Sequence, residues 1–192
     1  FPDIIVEEAT RLNRIITDFI NYAKPRSPNL APCRVEEVVD KNINFLEVRN
    51  KEQGYVIKKN FQNHLPEIRA DSTMLYQSFL NILINAMQSM PDGGRILVEI
   101  SSNDSWLTVH FDDEGQGIPP KNLDKIWDPF FTTKEQGTGL GLGIVKNIVE
   151  SHGGSIQIAN RPVRGTRVTI ELPVKPKTNG KDEDSAETAA VR

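Results

Sequence analysis

Uncharged polar side chains interrupt a segment whose positions between 79 and 87 are mostly apolar. In "TMLYQSFLNILINAMQSM" they recur every four residues, at Gln77, Asn81, Asn85 and Ser89. On a helix this spacing places them on one face, where a buried polar group without a partner would cost about 1–3 kcal/mol. The stripe therefore predicts either an internal amide network or a site for a metal or phosphate. An amide oxygen is a neutral ligand that suits Mg²⁺ when phosphates supply the negative charge.

A second candidate is Asp113, at the end of the strand-like stretch "SWLTVHFDD". The two-residue period of a strand puts this carboxylate on the same face as the apolar Val109 and Phe111. Gly115 and Gly117 follow, and they let the backbone turn sharply or approach a ligand closely. The pattern fits an ordinary Asp–Gly turn, or a pocket in which the carboxylate accepts a hydrogen bond from an exocyclic amine such as that of adenine.

Glycines stand at every second position before an apolar run with helical spacing, at Gly137, Gly139, Gly141 and Gly143. A helix start attracts anions through its unpaired N–H groups, and glycines remove side chains that would keep a phosphate away. The stretch fits a phosphate cradle or a flexible hinge. It is not a P-loop, since the chain contains no G-x-x-x-x-G-K-[ST], and it follows no strand as a Rossmann turn would.

The chain around these residues alternates between helical and strand-like patterns. Residues 34–53 predict an amphipathic helix with Gly54 as its stop, and Asp71 or Ser72 can cap the helix that carries the amide stripe. Strands are predicted over 55–61, 95–101 and 105–113, then an irregular stretch over 114–138, a helix to about residue 151, and two strands in "HGGSIQIANR" and "TRVTIELPV". This order predicts an α+β fold: a two-layer α/β sandwich whose mixed, mostly antiparallel sheet is covered by helices on one face.

The N-terminal part is organised differently. Apolar residues within residues 3–24 recur at spacings of four and three, which predicts a helix with a bundle seam. They are Ile5, Ala9, Leu12, Ile16, Phe19 and Ala23. We expect half of a helical bundle, completed by other sequence or a second subunit, in preference to a terminal helix docked on the domain. The predicted segments are this partial bundle helix over 1–24, a proline-rich linker over 25–33, the main domain over 34–174, and a polar tail over 175–192 whose composition predicts disorder.

Composition and charge narrow the class of protein. Of the 192 residues, 38% are hydrophobic and 26% charged, as in ordinary soluble domains. A net charge of −3 gives no support for nucleic-acid binding. The single cysteine, Cys33, excludes an internal disulfide, and its place in the linker indicates a bystander thiol. With no apolar run near the roughly 18 to 20 residues of a membrane span, no signal peptide, and a start at Phe1, we expect a cytoplasmic fragment without membrane contact of its own.

Four motifs in order give the chain a family resemblance over roughly residues 34–174. They are "NILINAMQSM", "DDEGQGIP", "DPFFTTK" and "GTGLGLGI". They resemble the N box, first glycine box, F box and second glycine box of the ATP-binding catalytic domain of bacterial sensor histidine kinases, within the wider gyrase, Hsp90, histidine kinase and MutL group. "HGGSI" and "GTRVTIELP" resemble its closing elements, and "MPDGG" is similar to the nitrogen-regulation branch. The resemblance implies a Bergerat-type ATP-binding fold, preceded by the second helix of a dimerisation and phosphotransfer bundle.

The resemblance also implies a role for each matched position. Asn85 would be the Mg²⁺ ligand, with Asn81 one turn earlier beside the metal and phosphates as the other catalytic amide. Asp113 would accept from the adenine amine, supported by Thr166. The residues implied in ATP binding are Asn81, Asn85, Asp113, Gly115, Gly117, Ile118, Phe131, Thr132, Thr133, Lys134, Gly137, Thr138, Gly139, Leu140, Gly141, Leu142, Gly143 and Thr166.

Residues 119–138 would form a mobile lid anchored by Phe130 and Phe131. Lys134 would reach a phosphate or remain a solvated lid lysine. His152 matches the "HGG" pattern, in which a structural role is expected.

The implied activity is transfer of the ATP γ-phosphoryl to a histidine, followed by transfer to an aspartate of a response regulator, with a homodimer formed through the bundle helix. Hydrolysing relatives resemble each other in a glutamate one turn before the metal-binding Asn. Here that place holds Asn81, and an amide is no useful base near pH 7. None of His64, His110 and His152 matches the acceptor motif. The alternatives are an ATP-hydrolysing dimerisation switch of the same superfamily and a non-catalytic dimerising interaction module.

Overall fold

The computed structural model describes residues 2–23, 27–49, 53–134 and 137–175. The helices are α1 (Pro2–Ala23), α2 (Val35–Arg49), α3 (Ser72–Gln88), α4 (Pro120–Leu123) and α5 (Gly141–Ser151). The strands are β1 (Ala31–Cys33), β2 (Tyr55–Phe61), β3 (Ile68–Ala70), β4 (Gly94–Ser102), β5 (Trp106–Asp113), β6 (Ser155–Asn160) and β7 (Thr166–Pro173). The predicted tail beyond residue 175 lies outside the described residues.

Five strands form one sheet in the order β2-β4-β5-β7-β6. The β2–β4 pair is parallel and the other pairs are antiparallel, so the prediction of a mixed, mostly antiparallel sheet is confirmed. Alternate residues of β5 are buried on the side of the helices, as its period of two predicts. Between the two layers, the ring centroids of Phe79 on α3 and Phe111 on β5 are 5.5 Å apart. The core therefore lies between one face of the sheet and the helices, as expected for a two-layer sandwich.

Helix α3 begins where its cap was predicted. The Oδ1 atom of Asp71 accepts hydrogen bonds from the N–H groups of Thr73 and Met74, at 3.0 and 3.1 Å. These bonds satisfy two of the backbone donors that a helix start leaves unpaired. The opposite oxygen, Oδ2, accepts from the Asn29 N–H at 3.0 Å, which ties the segment before β1 to the same cap. The capped helix carries Asn81 and Asn85 in its C-terminal half.

Three short elements, β1, β3 and α4, are not in the prediction. The linker expected over 25–33 is shorter, because β1 pairs antiparallel with β3 and belongs to the domain. Cys33, at the end of β1, is buried in the core with 5% of its surface exposed. It therefore does not lie in a linker, where it was expected. Burial, with the charges of Glu36 and Glu37, raises the pKa of this thiol, which disfavours its reactive thiolate form. A three-residue strand shows too little alternation for its pairing to be read from sequence.

The seam of α1 is exposed over much of its described length. Leu12, Ile16 and Phe19 are 57%, 55% and 50% exposed, so these seam positions are not covered by the described part of the chain. No helix among the described residues has the length and apolarity that a membrane span requires.

Candidate functional site

The carboxylate of Asp113 lies at the end of β5, where the core opens. Its Oδ1 atom accepts from the N–H groups of Gly115 at 2.8 Å and Thr166 at 3.1 Å, with the Ser89 hydroxyl at 3.4 Å. Within the described part of the chain, these hydrogen bonds all end on Oδ1, which leaves Oδ2 able to accept from a ligand. Burial raises the pKa of Asp113, and the backbone hydrogen bonds from Gly115 and Thr166 oppose that shift. Oδ1 is thus held by these donors, and Oδ2 has acceptor capacity left among the described contacts.

Across from Asp113, the amide stripe of α3 meets a lysine of the lid. The ammonium Nζ of Lys134 donates to Asn85 Oδ1 at 3.0 Å and to Gln88 Oε1 at 2.7 Å. Although much of the Lys134 side chain is exposed, its ammonium is partly desolvated between the two amides. That desolvation lowers the pKa of Lys134, and the charge of Asp113 opposes the shift. Asn81 is half-buried one turn earlier on the same face, so Asn81 and Asn85 do not form an amide network within the core.

The middle of the lid contacts the glycine stretch. The Phe130 N–H donates to the Gly139 carbonyl at 3.1 Å, and both residues have positive φ angles, 67° and 69°. A Cβ atom at Gly139 would lie 2.3 Å from the Phe130 carbonyl carbon, so glycine is required there. Phe130 is 58% exposed, and its ring stacks on that of Phe19 of α1 at 6.4 Å. Phe130, one of the two predicted anchors, therefore contacts α1 and does not lie in the core.

The second glycine motif forms the start of α5, as predicted for a phosphate cradle at a helix N-terminus. Of the residues implied there, Leu140 is fully buried and packs with Ile144 and Ile148, so only its backbone can face a ligand. The Thr138 hydroxyl donates to Asp18 Oδ2 of α1 at 3.0 Å. The Tyr22 ring lies against Gly143, 2.9 Å from where a Cβ atom would stand. Helix α1 thus covers one side of this motif.

The structure brings together some of the predicted site residues. The contacts above join Asn85 to Lys134, and join Asp113 to Gly115 and Thr166. The charge of Asp113 acts on Lys134 between the two groups. Gly117 and Ile118 continue from them, and both backbone groups of Ile118 pair with the Asn160 side chain at 2.7 Å. Thr132, Thr133 and Gly137 lie exposed in the lid, and Phe131 is half-buried.

The sequence patterns do not indicate the contacts that Asp113 makes with residues far along the chain. Arg161 donates to the Asp113 carbonyl across 48 positions, and no local pattern marks that pairing. Ser89 stood in the stripe, but its link to Asp113 was not predicted. The contact of Gln88 with Lys134 was not predicted either, because Gln88 does not fall on the four-residue spacing that defines the stripe.

The three histidines lie away from this site. His152 Nε2 accepts from the Asp71 N–H at 2.9 Å, and its Nδ1 lies 2.7 Å from the Ile148 carbonyl, which assigns the proton to Nδ1. This histidine therefore links α5 to the cap of α3, in the structural role expected. His110 Nδ1 lies 2.9 Å from the Thr169 hydroxyl on the other face of the sheet, and His64 occupies a turn with φ of 57°.

A separate cavity of about 360 Å³ lies between the segment before β1 and the starts of α3 and α5. On α3 it ends at Gln77, one turn before Asn81. Most residues that line it have hydroxyl, amide or apolar side chains. The carboxylate in this lining, that of Asp71, already accepts three backbone hydrogen bonds. It lies apart from the predicted nucleotide contacts.

A helix-covered mixed sheet with a buried aspartate, a facing amide helix and a glycine-rich helix start defines an ATP-binding domain. Residues 70–176, more than half of the chain, match the family described as histidine kinase-, DNA gyrase B- and HSP90-like ATPase. The chain belongs to that family.

Comparisons with individual proteins point to its histidine kinase members. The chain is 35% identical over 171 residues to the sensor histidine kinase ZraS of Escherichia coli K12, covering 89% of this chain and 37% of ZraS. It is 35% identical to sporulation kinase A of Bacillus subtilis 168, covering 90% of this chain and 29% of that kinase. It spans about a third of the length of these curated relatives.

Two solved structures resemble the chain closely in fold. Full-length ShkA in complex with AMPPNP superposes with a TM-score of 0.78 at 27% identity, over 87% of this chain and 36% of ShkA. The histidine kinase ThkA in complex with the response regulator TrrA gives a TM-score of 0.78 at 26% identity, over 92% of this chain and 51% of ThkA.

Proposed function

We propose that this chain is the catalytic ATP-binding part of a two-component sensor histidine kinase (EC 2.7.13.3). It binds Mg-ATP and transfers the γ-phosphoryl to a histidine on another segment or subunit, from which the phosphoryl passes to an aspartate of a response regulator. The observation that carries the proposal is the Asp113 carboxylate, with Oδ1 held by two backbone donors and Oδ2 left to accept from the adenine amine. The names of the similar proteins support the kinase assignment and, for ThkA, the response regulator.

The Asn85 side chain fits a role as the Mg²⁺ ligand. Its Oδ1 atom already accepts a hydrogen bond from the Lys134 ammonium, which supports a cation at this position. A neutral amide suits a metal whose remaining ligands are phosphate oxygens and water. Bound Mg²⁺ would neutralise charge on the phosphates. Asn81 would contact the phosphates one turn away.

The residues of the lid and of the glycine motif would position the phosphates. The backbone N–H groups at the start of α5 would bind the phosphate oxygens, and Lys134 would exchange its amide contacts for one of those oxygens. Transfer breaks the bond from the γ-phosphorus to the β,γ-bridging oxygen and forms one to a ring nitrogen of the acceptor. The contribution of the protein is positioning and charge neutralisation. Asn81 offers no base for water, which favours transfer over hydrolysis.

The phosphoryl-transfer assay combines the chain, radiolabelled ATP, Mg²⁺ and a polypeptide carrying a candidate acceptor helix. We expect label on that helix that is labile in acid and stable in base. The Asp113→Asn variant should lose most of the transfer, whereas Asp104→Asn, which changes an exposed aspartate of the β4–β5 turn, should not. Steady phosphate release without an acceptor would favour the hydrolysing switch instead. Absence of Mg-ATP binding would favour the non-catalytic module.

The exposed seam of α1 supports a homodimer through the bundle helix as part of this proposal. A kinase domain that uses ATP and a response regulator would act in the cytoplasm, where both are found.

A further inference from the structure

The turn between β6 and β7 packs against the loop that follows Asp113. The Nη1 atom of Arg161 donates to the Asp113 carbonyl at 2.8 Å, and its Nε atom lies 3.6 Å from Asp112 Oδ2. Gly165 in the same turn has φ of 90°, and a Cβ atom there would lie 1.9 Å from the Asp113 carbonyl oxygen. The turn is therefore built to lie directly on the Asp113 backbone.

Asp112 strengthens this attachment from the preceding position. It is 2% exposed, and Arg167 binds both of its oxygens, with Nε at 2.7 Å from Oδ1 and Nη2 at 2.5 Å from Oδ2. A paired guanidinium and carboxylate in this fork geometry have a fixed relative orientation. Arg161 adds a second cation beside the same carboxylate. The two arginines therefore hold the end of β5 from the face of the sheet opposite the helices.

Arg161 contributes little to the core. Its side chain is 33% exposed, and the side-chain contacts described for it all end on Asp112 and Asp113. Removing it would therefore leave the apolar core unchanged while releasing the Asp113 carbonyl. The Asp113 carboxylate extends from that same backbone unit, so a rotation there changes the direction of Oδ2.

We propose that Arg161 is a positioning residue for the base-binding carboxylate: it fixes the Asp113 backbone and thereby the preference of the site for a 6-amino purine over a 6-oxo purine. This inference rests on the proposed function, in which Asp113 Oδ2 accepts from the adenine amine. A 6-oxo purine presents an acceptor at the same place, so a well-directed carboxylate rejects it. A poorly directed carboxylate loses the adenine bond and also the ability to discriminate.

Calorimetry with Mg-ATP and Mg-ITP on the whole chain tests the proposal. We expect Arg161→Ala to weaken ATP binding about tenfold, the scale of one hydrogen bond to a charged group. ITP affinity should change little, so the ATP-to-ITP preference should fall by a similar factor. Arg161→Lys should restore part of the preference, because a lysine ammonium can reach the Asp113 carbonyl but cannot also place a second nitrogen beside Asp112, as the guanidinium does. Arg69→Ala is the matched control, since Arg69 also donates to a backbone carbonyl, that of Leu30 at 2.7 Å, away from the site.

Four outcomes separate the possibilities. Equal weakening of ATP and ITP by Arg161→Ala would overturn the positioning role, because a general loss of structure acts on both nucleotides. Unchanged ATP binding in Arg161→Ala would also overturn it. In an Asp113→Asn background, Arg161→Ala should have no further effect on the preference, and an additive effect would contradict the inference. Failure of the unaltered chain to bind ATP would instead overturn the proposed function along with it.

Discussion

The buried carboxylate of Asp113 is costly to ionise, and this cost limits the pH range of its proposed role. Desolvation raises its pKa, so the folded chain binds a proton there more tightly than the unfolded chain does. The free energy of unfolding contributed by this group therefore falls as pH rises through the window between the ordinary and the raised pKa. Only the ionised form offers Oδ2 as a full acceptor. The ionised carboxylate that adenine binding requires therefore lowers the free energy of unfolding at neutral pH.

At the residue scale, we therefore expect ATP affinity to decrease as pH falls from neutral, beginning above the ordinary range of an aspartate. Protonation removes the acceptor, so the acidic limb of the affinity profile follows the raised pKa of Asp113. Calorimetric titrations between about pH 4 and pH 8 measure that limb. Asp113→Asn should bind weakly at all these pH values and, without ligand, should unfold at a higher temperature near pH 7. A flat pH profile in the unaltered chain would contradict the expectation.

The Asn85 amide gives a second prediction at the same scale. We expect Asn85→Ala to weaken ATP binding about tenfold when Mg²⁺ is present, because one metal ligand is lost, and to change it little in EDTA. Isothermal titration of ATP with Mg²⁺ and with EDTA separates the loss of a metal ligand from the loss of a direct nucleotide contact. Gln88→Ala is the control, since Gln88 also accepts from Lys134 but has no proposed metal contact. Equal losses with and without Mg²⁺ would place Asn85 outside the metal site.

At the element scale, α3 and β5 were predictable and β1 and β3 were not, for a physical reason. The long elements carry several periods of alternation, and α3 also carries the Asp71 cap, so their faces can be read locally. Strands β1 and β3 are three residues each and are stabilised by pairing with each other. The contact from Arg161 to Asp113 likewise depends on tertiary packing. The Asn85 and Asp113 positions could be identified from motifs, whereas their supporting contacts could not.

The contact between α1 and α5 gives the prediction at this scale. Tyr22 packs against the buried cluster of Leu140, Ile144 and Ile148, so Tyr22→Ala should detach the end of α1. We expect the free energy of unfolding to fall by about 2 kcal/mol, below the range for a fully buried aromatic ring. Protease cleavage within α1 should also become faster. Ile20→Ala is the control, because this side chain on the same helix is 55% exposed. It should change neither the free energy of unfolding nor the rate of cleavage.

At the scale of the whole molecule, α1 has two contact surfaces with different uses. The side bearing Asp18 and Tyr22 contacts the domain, whereas Leu12 and Ile16 are more than half exposed. Because a single helix cannot bury its own seam, we expect the chain to dimerise through the exposed surface. The dimer would bring two ATP-binding domains to one bundle.

Charged substitutions on the seam test that dimer. Leu12→Glu together with Ile16→Glu should convert the dimer to a monomer in sedimentation equilibrium, because burying two carboxylates at a helix interface is strongly unfavourable. ATP binding should be retained, since neither residue is among the contacts described between α1 and the domain. Asn13→Glu adds charge one position off the seam and should leave the dimer intact. A chain that is monomeric at every concentration before substitution would show that α1 needs a further helix, because the seam then remains exposed in solution.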